Sequence, residues 1–405
     1  MKWEKVKLGD IATCIQPGPF GSQLHNSDYS KEGTPIIMPK DIVGGAIVHS
    51  GLLKVSEEHV KRLSRHQVYE GNLMVARKGD VRKCAYITAN ENGWMTGSDC
   101  LKVVLDESKC YPKFIYYQLR SEHIGRWLEK VSIGATMPSL NTGLLSGIEM
   151  VLPPIEIQKQ IAGILSVYDD LIENNQKQIK LLEEAAQRLY KEWFVDLRFP
   201  GHENTKIVDG VPEGWNWCKL EDAIQLDPKV TLTKERMKQF IPMSALSTSS
   251  MVLDESQFTE TTSNSGSKFQ NGDTLLARIT PCLENGKTAY VSGLKFDEGA
   301  VGSTEYIVMR AKTINSYMVY LLARTDDFRQ SAINSMSGSD GRQRVKSDKL
   351  KMLDYLHPTS ELVEKFENIA EPIFEKIYKL SKQMQQEKQA RDLLLPKLMS
   401  GEVEV

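Results

Sequence analysis

The strongest constraint in this sequence of 405 residues is an internal repeat that covers both halves. Residues 153–157 match residues 358–362, and this offset of 205 then holds over roughly forty positions. Further upstream, residues 71–77 match residues 272–278 at an offset of 201. One structural unit is therefore built twice, with small insertions between the shared elements, and any interpretation must account for both copies.

Each copy ends in an apolar stripe whose members follow alternating steps of four and three residues, as in a coiled coil. The first stripe comprises Ile161, Leu165, Tyr168, Ile172, Asn175, Ile179, Leu182, Ala186, Leu189 and Trp193. The second comprises Phe366, Ala370, Ile373, Ile377, Leu380, Met384, Glu387, Arg391, Leu394 and Leu398. Because one stripe needs another to cover it, we expect an antiparallel helix pair. Two unrelated core helices are the alternative.

Pro372 predicts an interruption of the second helix, because a proline inside a helix lacks a hydrogen-bond donor and clashes with the preceding turn. A proline does suit the first turn of a new helix. The sequence therefore predicts two pieces in each copy, a short helix ending near residue 166 or 370 and a longer one. The longer piece would have about 25 residues and a length of about 40 Å at 1.5 Å per residue.

The segments that precede the stripes are different in character. Short β-rich runs, such as residues 73–76 and 274–277, alternate with glycine and asparagine turns. The predicted fold class is α+β: two tandem α+β domains joined by two long antiparallel coiled-coil helices, with a pseudo-twofold internal repeat. The expected bounds are 1–152 and 201–357 for the domains, and 153–200 and 358–405 for the helical arms.

Composition places the chain among ordinary globular proteins, with 40% hydrophobic and 26% charged residues. No run approaches the roughly 18 uncharged apolar residues of a membrane-spanning helix, and residues 1–5 do not resemble a signal peptide. We therefore expect a cytoplasmic protein with no membrane partner. The six cysteines are dispersed, without a Cys-x-x-Cys pair, so we expect them to be reduced and structural.

Motifs that would indicate catalysis do not occur in the sequence. A methyltransferase would need a glycine-rich cofactor loop, and there is no G-x-G-x-x-G. Gly286-Lys287-Thr288 resembles the end of a phosphate-binding loop, but Pro281 stands where the first glycine is required. The seven histidines show no metal-ligand spacing. We therefore predict a binding protein with no catalytic residue, no metal site and no cofactor.

Several loops carry the cations and hydrogen-bonding side chains that are typical of DNA contacts. Residues 18–23 offer an aromatic ring, a hydroxyl and an amide, and residues 77–83 place four cations directly after a predicted strand. Residues 337–346 supply Arg, Gln and Lys on a turn, whose uncharged first-half counterpart is roughly 134–141. Plain turns and solvated charges are the alternatives. The predicted DNA-binding residues are Phe20, Ser22, Gln23, Lys40, Arg77, Lys78, Arg82, Lys83, Arg278, Thr280, Lys287, Arg342, Gln343, Arg344 and Lys346.

Taken together, these features resemble the DNA-specificity subunit of type I restriction-modification systems, over the whole chain. The segments that carry the resemblance are 18–22, 153–161, 193–201, 277–287 and 394–402. The resemblance implies that each domain reads one half of a split DNA site, while the arms space the domains and dock two methyltransferase subunits. It further implies adenine methylation by those partners, and cleavage when a restriction motor-nuclease subunit joins.

The charge balance agrees with a partner-dependent DNA reader. A net charge of −2 argues mildly against a DNA-binding protein that acts alone, because phosphate neutralisation supplies most nonspecific affinity. The arms match while the domain loops differ, so we expect a bipartite and asymmetric site. An arm of about 40 Å corresponds to about one turn of B-DNA, ~34–36 Å. The alternative function is a stand-alone DNA-binding regulator or scaffold with the same two domains.

Overall fold

The computed structural model describes residues 3–132, 138–339 and 341–405. The chain divides into two compact units. The first unit contains Met1–Leu171 and Glu387–Val405, and the second contains Ile172–Gln386. Two long helices, α6 (Ile155–Tyr190) and α11 (Ser360–Ser400), contribute to both units.

The described residues of the first unit form twelve short strands and five short α-helices. Its strands are β1 (Glu4–Lys7), β2 (Ala12–Pro17), β3 (Tyr29–Ser30), β4 (Thr34–Ile37), β5 (Ile42–Val43), β6 (Ala46–Ile47), β7 (Leu53–Val55), β8 (Leu73–Ala76), β9 (Cys84–Tyr86), β10 (Met95–Thr96), β11 (Cys100–Leu105) and β12 (Glu149–Leu152). Its short helices are α1 (Leu8–Ile11), α2 (Glu57–Arg62), α3 (Pro112–Leu119), α4 (Glu122–Val131) and α5 (Thr142–Ser146).

The second unit repeats this plan. Its short helices are α7 (Leu220–Ala223), α8 (Ser316–Arg324), α9 (Asp326–Asn334) and α10 (Ser347–Lys351). Its strands are β13 (Ile207–Val208), β14 (Val211–Pro212), β15 (Asn216–Lys219), β16 (Ile224–Leu226), β17 (Lys238–Ile241), β18 (Thr259–Thr261), β19 (Ser267–Phe269), β20 (Thr274–Ala277), β21 (Thr288–Tyr290), β22 (Ala300–Gly302), β23 (Tyr306–Ala311) and β24 (Asp354–His357).

Sheet topology shows the repeat directly. The antiparallel sheet β2-β11-β8-β9 of the first unit corresponds to β16-β23-β20-β21 of the second. Each unit also holds a mixed four-stranded sheet, β10-β4-β7-β3 or β18-β17-β22-β19, with one parallel pair. A two-stranded ribbon, β1-β12 or β15-β24, completes each domain directly before a long helix begins.

The central strand of each domain is buried on both faces. In β8, Val75 packs with the helices and Met74 packs against the mixed sheet. In β20, Leu276 and Leu275 divide in the same way between two cores. Strands that are buried on both faces have continuous apolar runs instead of alternating apolar and polar residues. Such runs are easy to recognise in the sequence, which explains why both strands were predicted.

The two apolar stripes are buried, and within each unit they cover each other. In the first unit, Ile161 and Leu165 of α6 share a core with Leu398 of α11. In the second unit, Tyr190 of α6 lies against Phe366 of α11, with ring centroids 6.1 Å apart. The expected antiparallel pairing of long helices is therefore confirmed, as is the α+β fold class. The predicted residue bounds of domains and arms stay predictions.

The predicted break at Pro372 is wrong. Helix α11 runs without interruption from Ser360 to Ser400, and α6 is likewise continuous for 36 residues. Pro372 and Asn368, whose carbonyl loses its helical donor, both lie on the exposed face, so water can satisfy that carbonyl. On the opposite face, Ala370 and Phe374 are buried, and this packing maintains the helix through the proline.

Neither a membrane-spanning helix nor a metal-binding cluster occurs among the residues that the structure describes. No helix there is both long enough and apolar enough to cross a membrane. Within the same residues, no cluster of three or more His, Cys, Asp or Glu side chains could hold a metal ion. The six cysteines are free thiols.

Pro372→Ala tests the continuous helix. We expect the free energy of unfolding to rise by about 2 kcal/mol, because an interior proline costs roughly 3 kcal/mol and its rigidity in the unfolded chain returns up to ~1 kcal/mol. The measurement is urea unfolding followed by circular dichroism. Glu371→Ala, on the neighbouring exposed position, is the control and should change stability little. Unchanged stability in Pro372→Ala would indicate a helix that is broken at this position.

Candidate nucleic-acid interface

In the first unit, the residue that follows β8 lies between two loops. The backbone N–H of Arg77 donates to the carbonyl of Asp99 at 2.7 Å, and the Arg77 carbonyl accepts from the N–H of Leu140 at 2.8 Å. Lys78 then forms an isolated β-bridge with Ser139. The loop that ends near residue 141 therefore borders the end of β8, although residues 133–137 lie outside the described part of the chain.

The second unit repeats this arrangement after β20. The N–H of Arg278 donates to the carbonyl of Glu305 at 3.0 Å, and the Arg278 carbonyl accepts from the N–H of Val345 at 2.9 Å. Ile279 forms a β-bridge with Arg344. The loops that end near residues 141 and 346 are therefore structural equivalents, as their offset of 205 predicted. Asp340 of the second loop is not among the described residues.

An exposed aromatic ring stands beside the first of these sites. Phe20 is 55% exposed, and the guanidinium carbon of Arg77 lies 5.5 Å from the centre of its ring. Gly18 shapes this loop, because a Cβ atom there would lie 2.0 Å from the carbonyl oxygen of Gly97. The Nε atom of Arg77 is buried without a hydrogen-bond partner among the described residues. Ring and cation together form a surface on which a base could stack.

Several predicted cations of the first unit already have partners inside the protein. Lys78 forms an ion pair of 3.0 Å with Asp99. Arg82 pairs with Glu122 and, at 3.4 Å, with Glu129 of α4. Its hydrogen bond and its positive charge hold the pKa of Glu122 below the ordinary value. Arg82 is thus tied to α4 rather than directed freely to solvent.

Lys83 and Lys287 make the same internal contact in the two units. The Nζ atom of Lys83 donates to the carbonyl of Pro39 at 3.0 Å, and that of Lys287 donates to the carbonyl of Met243 at 2.9 Å. Both lysines directly precede the edge strand, β9 or β21, of the antiparallel four-stranded sheet in their unit. The repetition of this hydrogen bond indicates a structural role, in which the ammonium group joins a loop to the sheet.

Two cations of the second site, Arg278 and Arg344, also have partners inside the protein. Arg278 donates through Nε and Nη2 to the carbonyl of Val345, at 3.0 and 2.7 Å. Arg344 forms a bidentate pair with Glu305, with its shortest distance 2.7 Å, and this hydrogen bonding keeps the pKa of Glu305 low. The N–H of Thr280 donates to the carbonyl of Gln343 at 3.1 Å. The guanidinium of Arg344 is still partly exposed, so it can exchange its partner.

The remaining predicted residues are at the surface. Gln23 is half-buried, and its backbone carbonyl accepts a hydrogen bond from the Arg62 side chain at 2.8 Å. The other four side chains are exposed and form no ion pair within the described residues: Ser22, Lys40, Arg342 and Lys346. These are the predicted side chains that a ligand could reach without breaking an internal contact.

Comparison with known proteins shows which proteins this chain resembles. Residues 1–184 match the model of the type I restriction modification DNA specificity domain. The whole chain is 25% identical to the MjaIX specificity subunit of Methanocaldococcus jannaschii, over 94% of that protein. One third of the chain is 35% identical to the EcoAI specificity subunit of Escherichia coli, over 24% of that protein. The chain is therefore similar to type I DNA-specificity subunits over its whole length, and its first 184 residues match the domain model of that family.

A solved structure shows the same fold as this chain. The S subunit of a type I restriction-modification system from M. genitalium has a TM-score of 0.57 at 14% sequence identity, with 98% of this chain and 96% of that chain covered. The family model and the full-length relative are both named for DNA specificity in type I restriction systems.

One loop of this chain was not predicted from the sequence. In the first unit Ile15 pairs with Val103, and in the second Leu226 pairs with Met309 at the equivalent register. Pro17 and Pro228 therefore correspond, and the loop after β16 is the counterpart of residues 18–23. The offset of 212 between Lys7-Leu8 and Lys219-Leu220 could have indicated this, but the two loops share no further motif.

Lys83→Met and Lys287→Met distinguish a structural role from a DNA contact. Each change should lower the free energy of unfolding by about 1–3 kcal/mol, because a half-buried carbonyl loses its charged donor. Chemical denaturation provides the measurement. Lys40→Met, at an exposed lysine, is the control and should stay within about 0.5 kcal/mol of the parent protein. If the variants kept full stability but bound DNA more weakly, both lysines would be DNA contacts and not structural residues.

Proposed function

We propose that this specificity subunit reads a bipartite, asymmetric DNA site, with one globular domain on each half-site, and directs methyltransferase subunits to it. The observation that supports this most is the repeated backbone framework around Arg77 and Arg278, which carries different side chains in its two copies. A repeated frame with divergent side chains is suited to reading two different sequences in one common manner.

The equivalent acids illustrate the divergence. Asp99 and Glu305 accept the same backbone contact, yet Asp99 pairs with Lys78 from its own sheet edge and Glu305 pairs with Arg344 from the opposing loop. The compact ammonium group of a lysine and the planar guanidinium of an arginine present different donor patterns to a base edge. We infer that the two half-sites differ in sequence for this reason.

We propose two sets of DNA contacts from the predicted residues. The first domain uses the surface around Phe20 and Arg77, together with Ser22, Gln23 and Lys78. The second domain uses the loop that contains Arg342, Gln343, Arg344 and Lys346. The roles of the other predicted residues in DNA binding stay predictions: Lys40, Arg82, Lys83, Arg278, Thr280 and Lys287.

Partners complete the proposed assembly. The net charge of −2 leaves little capacity to neutralise a DNA backbone, so we propose that two methyltransferase subunits supply much of the phosphate contact and methylate adenine. A restriction motor-nuclease subunit would add cleavage. We propose a cytoplasmic location, and the comparisons give no support to the alternative of a stand-alone regulator or scaffold.

The decisive experiment maps methylated bases in a host that expresses this chain with its cognate methyltransferase subunits. We expect one split motif with a fixed gap and two different halves, and tight DNA binding only by the assembled complex, because the chain by itself is weak in phosphate contacts. A host without the chain is the control. Equal DNA affinity of the chain with and without methyltransferase subunits would contradict the proposal.

Arg344→Ala tests which half-site the second domain reads. We expect selectivity at one half-site to fall by about tenfold or more, since a guanidinium can contact a guanine through two hydrogen bonds. Binding of the assembled complex to sites with single base changes provides the measurement. Lys206→Ala, at an exposed lysine outside the loop, is the matched control. A uniform loss over all sequences would identify Arg344 as a phosphate contact.

A further inference from the structure

An open, polar pocket of about 620 Å³ lies within the second unit, where β16 ends. One wall is the loop after β16, with Lys229 and Lys234, and another is the entry into β19, with Lys268. Arg278, at the end of β20, also lines it. The pocket therefore borders the proposed reading loop, because Arg278 holds the Val345 carbonyl of that loop.

The three lysines of this pocket have no internal partner. Within the described residues, none of the side chains of Lys229, Lys234 and Lys268 makes an ion pair or a hydrogen bond. This distinguishes them from neighbouring cations of the same segment. Arg236 pairs with Glu298, and the Nζ atom of Lys238 donates to two backbone carbonyls at 3.1 Å.

The acid in the pocket wall is already engaged. Asp227 is the single carboxylate that lines the pocket among the described residues. One of its oxygens accepts from the N–H of Val308 at 3.0 Å, and the other accepts from the hydroxyl of Ser347. These neutral donors orient the Asp227 carboxylate and leave its charge in place. The charged residues that line the pocket are thus three lysines and Arg278 against one carboxylate, and this excess gives the pocket a net positive field.

The kind of cation indicates the kind of ligand. Base edges are read best by planar, bidentate donors such as Arg, Asn or Gln, whereas Lys offers a compact charge on a flexible stem. Phosphate oxygens accept such a charge from many directions. The counterpart loop of the first unit, residues 18–23, contains no lysine and presents Phe20 instead. The lysines of the loop after β16 therefore have no counterpart in the loop of the first unit, whereas Arg278 corresponds to Arg77.

We propose that Lys229, Lys234 and Lys268 bind phosphodiester groups of the DNA backbone, and so orient the second domain on its half-site. This inference rests on the proposed function, since it concerns the same DNA complex. It assigns to these lysines a positioning role that carries no base preference. Base selection is left to the adjoining loop that contains Arg342 and Arg344.

The test is the triple variant K229Q/K234Q/K268Q, assembled with the methyltransferase subunits. DNA affinity is measured against salt concentration for the cognate site and for a site with a scrambled second half. Each phosphate contact contributes about 0.9 to the slope of log K against log salt, so losing three contacts should reduce the slope by roughly 2.7. The affinity loss should be similar for both DNAs.

Two matched variants complete the design. K229R/K234R/K268R keeps the charges and should restore the salt slope. K31Q/K61Q/K206Q removes three exposed lysines elsewhere and should leave the slope nearly unchanged. An equal fall in this control would show a general charge effect and overturn the assignment of the pocket.

Two further outcomes separate this inference from the proposed function. If the unaltered complex reads a split site but the triple variant keeps its full salt slope, the phosphate assignment fails and the proposed function stands. A loss confined to particular bases of the second half-site would also overturn it, because the lysines would then read sequence. If the unaltered complex shows no split site, the proposed function itself fails.

Discussion

The mutual burial of two apolar stripes is the interaction on which the rest of the protein depends. Neither α6 nor α11 could stay helical over such a length with its stripe in water, because helices gain most of their stability from packing. Full burial of one large apolar side chain is worth about 1.5–3 kcal/mol. The first unit buries Ile161, Leu165 and Leu398 of these helices, and the second unit buries a larger set from both. The domains attach directly to this support, since β12 and β24 end just before α6 and α11 begin.

Polar side chains in and beside the stripes have specific partners. Arg391 donates to Asp169 at 2.6 Å, and the same carboxylate accepts from the hydroxyl of Tyr117 at 2.7 Å. Glu183 of α6 is buried and accepts from the hydroxyl of Ser250 and the N–H of Met251, at 2.6 and 2.9 Å. Burial raises the pKa of Glu183. These contacts join the helices to the domain loops and supplement the apolar packing.

Backbone hydrogen bonds hold the proposed DNA-reading surfaces, and this allows two copies of one fold to carry different side chains. The bonds that join Arg77 to Asp99 and Leu140, and their equivalents in the second unit, do not depend on which side chain stands at each position. Loop side chains can therefore change without loss of the fold. A specificity subunit needs a fold that does not depend on its loop side chains, because a change in the recognised sequence must not lower stability.

The sequence by itself determined the elements whose signals are local. The repeat, the two stripes, the buried strands β8 and β20 and the family could all be inferred, since periodicity and apolar runs reflect neighbours along the chain. The correspondence of the loops ending near residues 141 and 346 was also predicted, because the offset of 205 is constant there. Where the offset drifts, the loop after β16 with Lys229 and Lys234 was not predicted, and neither was Lys268 of β19.

Tertiary structure decided which cations are available and whether α11 is continuous. Lys83 and Lys229 have the same side-chain chemistry, yet one is bonded to the Pro39 carbonyl and the other faces an open pocket. Pro372 would break an isolated helix, but the burial of Ala370 and Phe374 outweighs the lost hydrogen bond. Both outcomes depend on groups that are distant in sequence and close in space, and no local pattern contains that information.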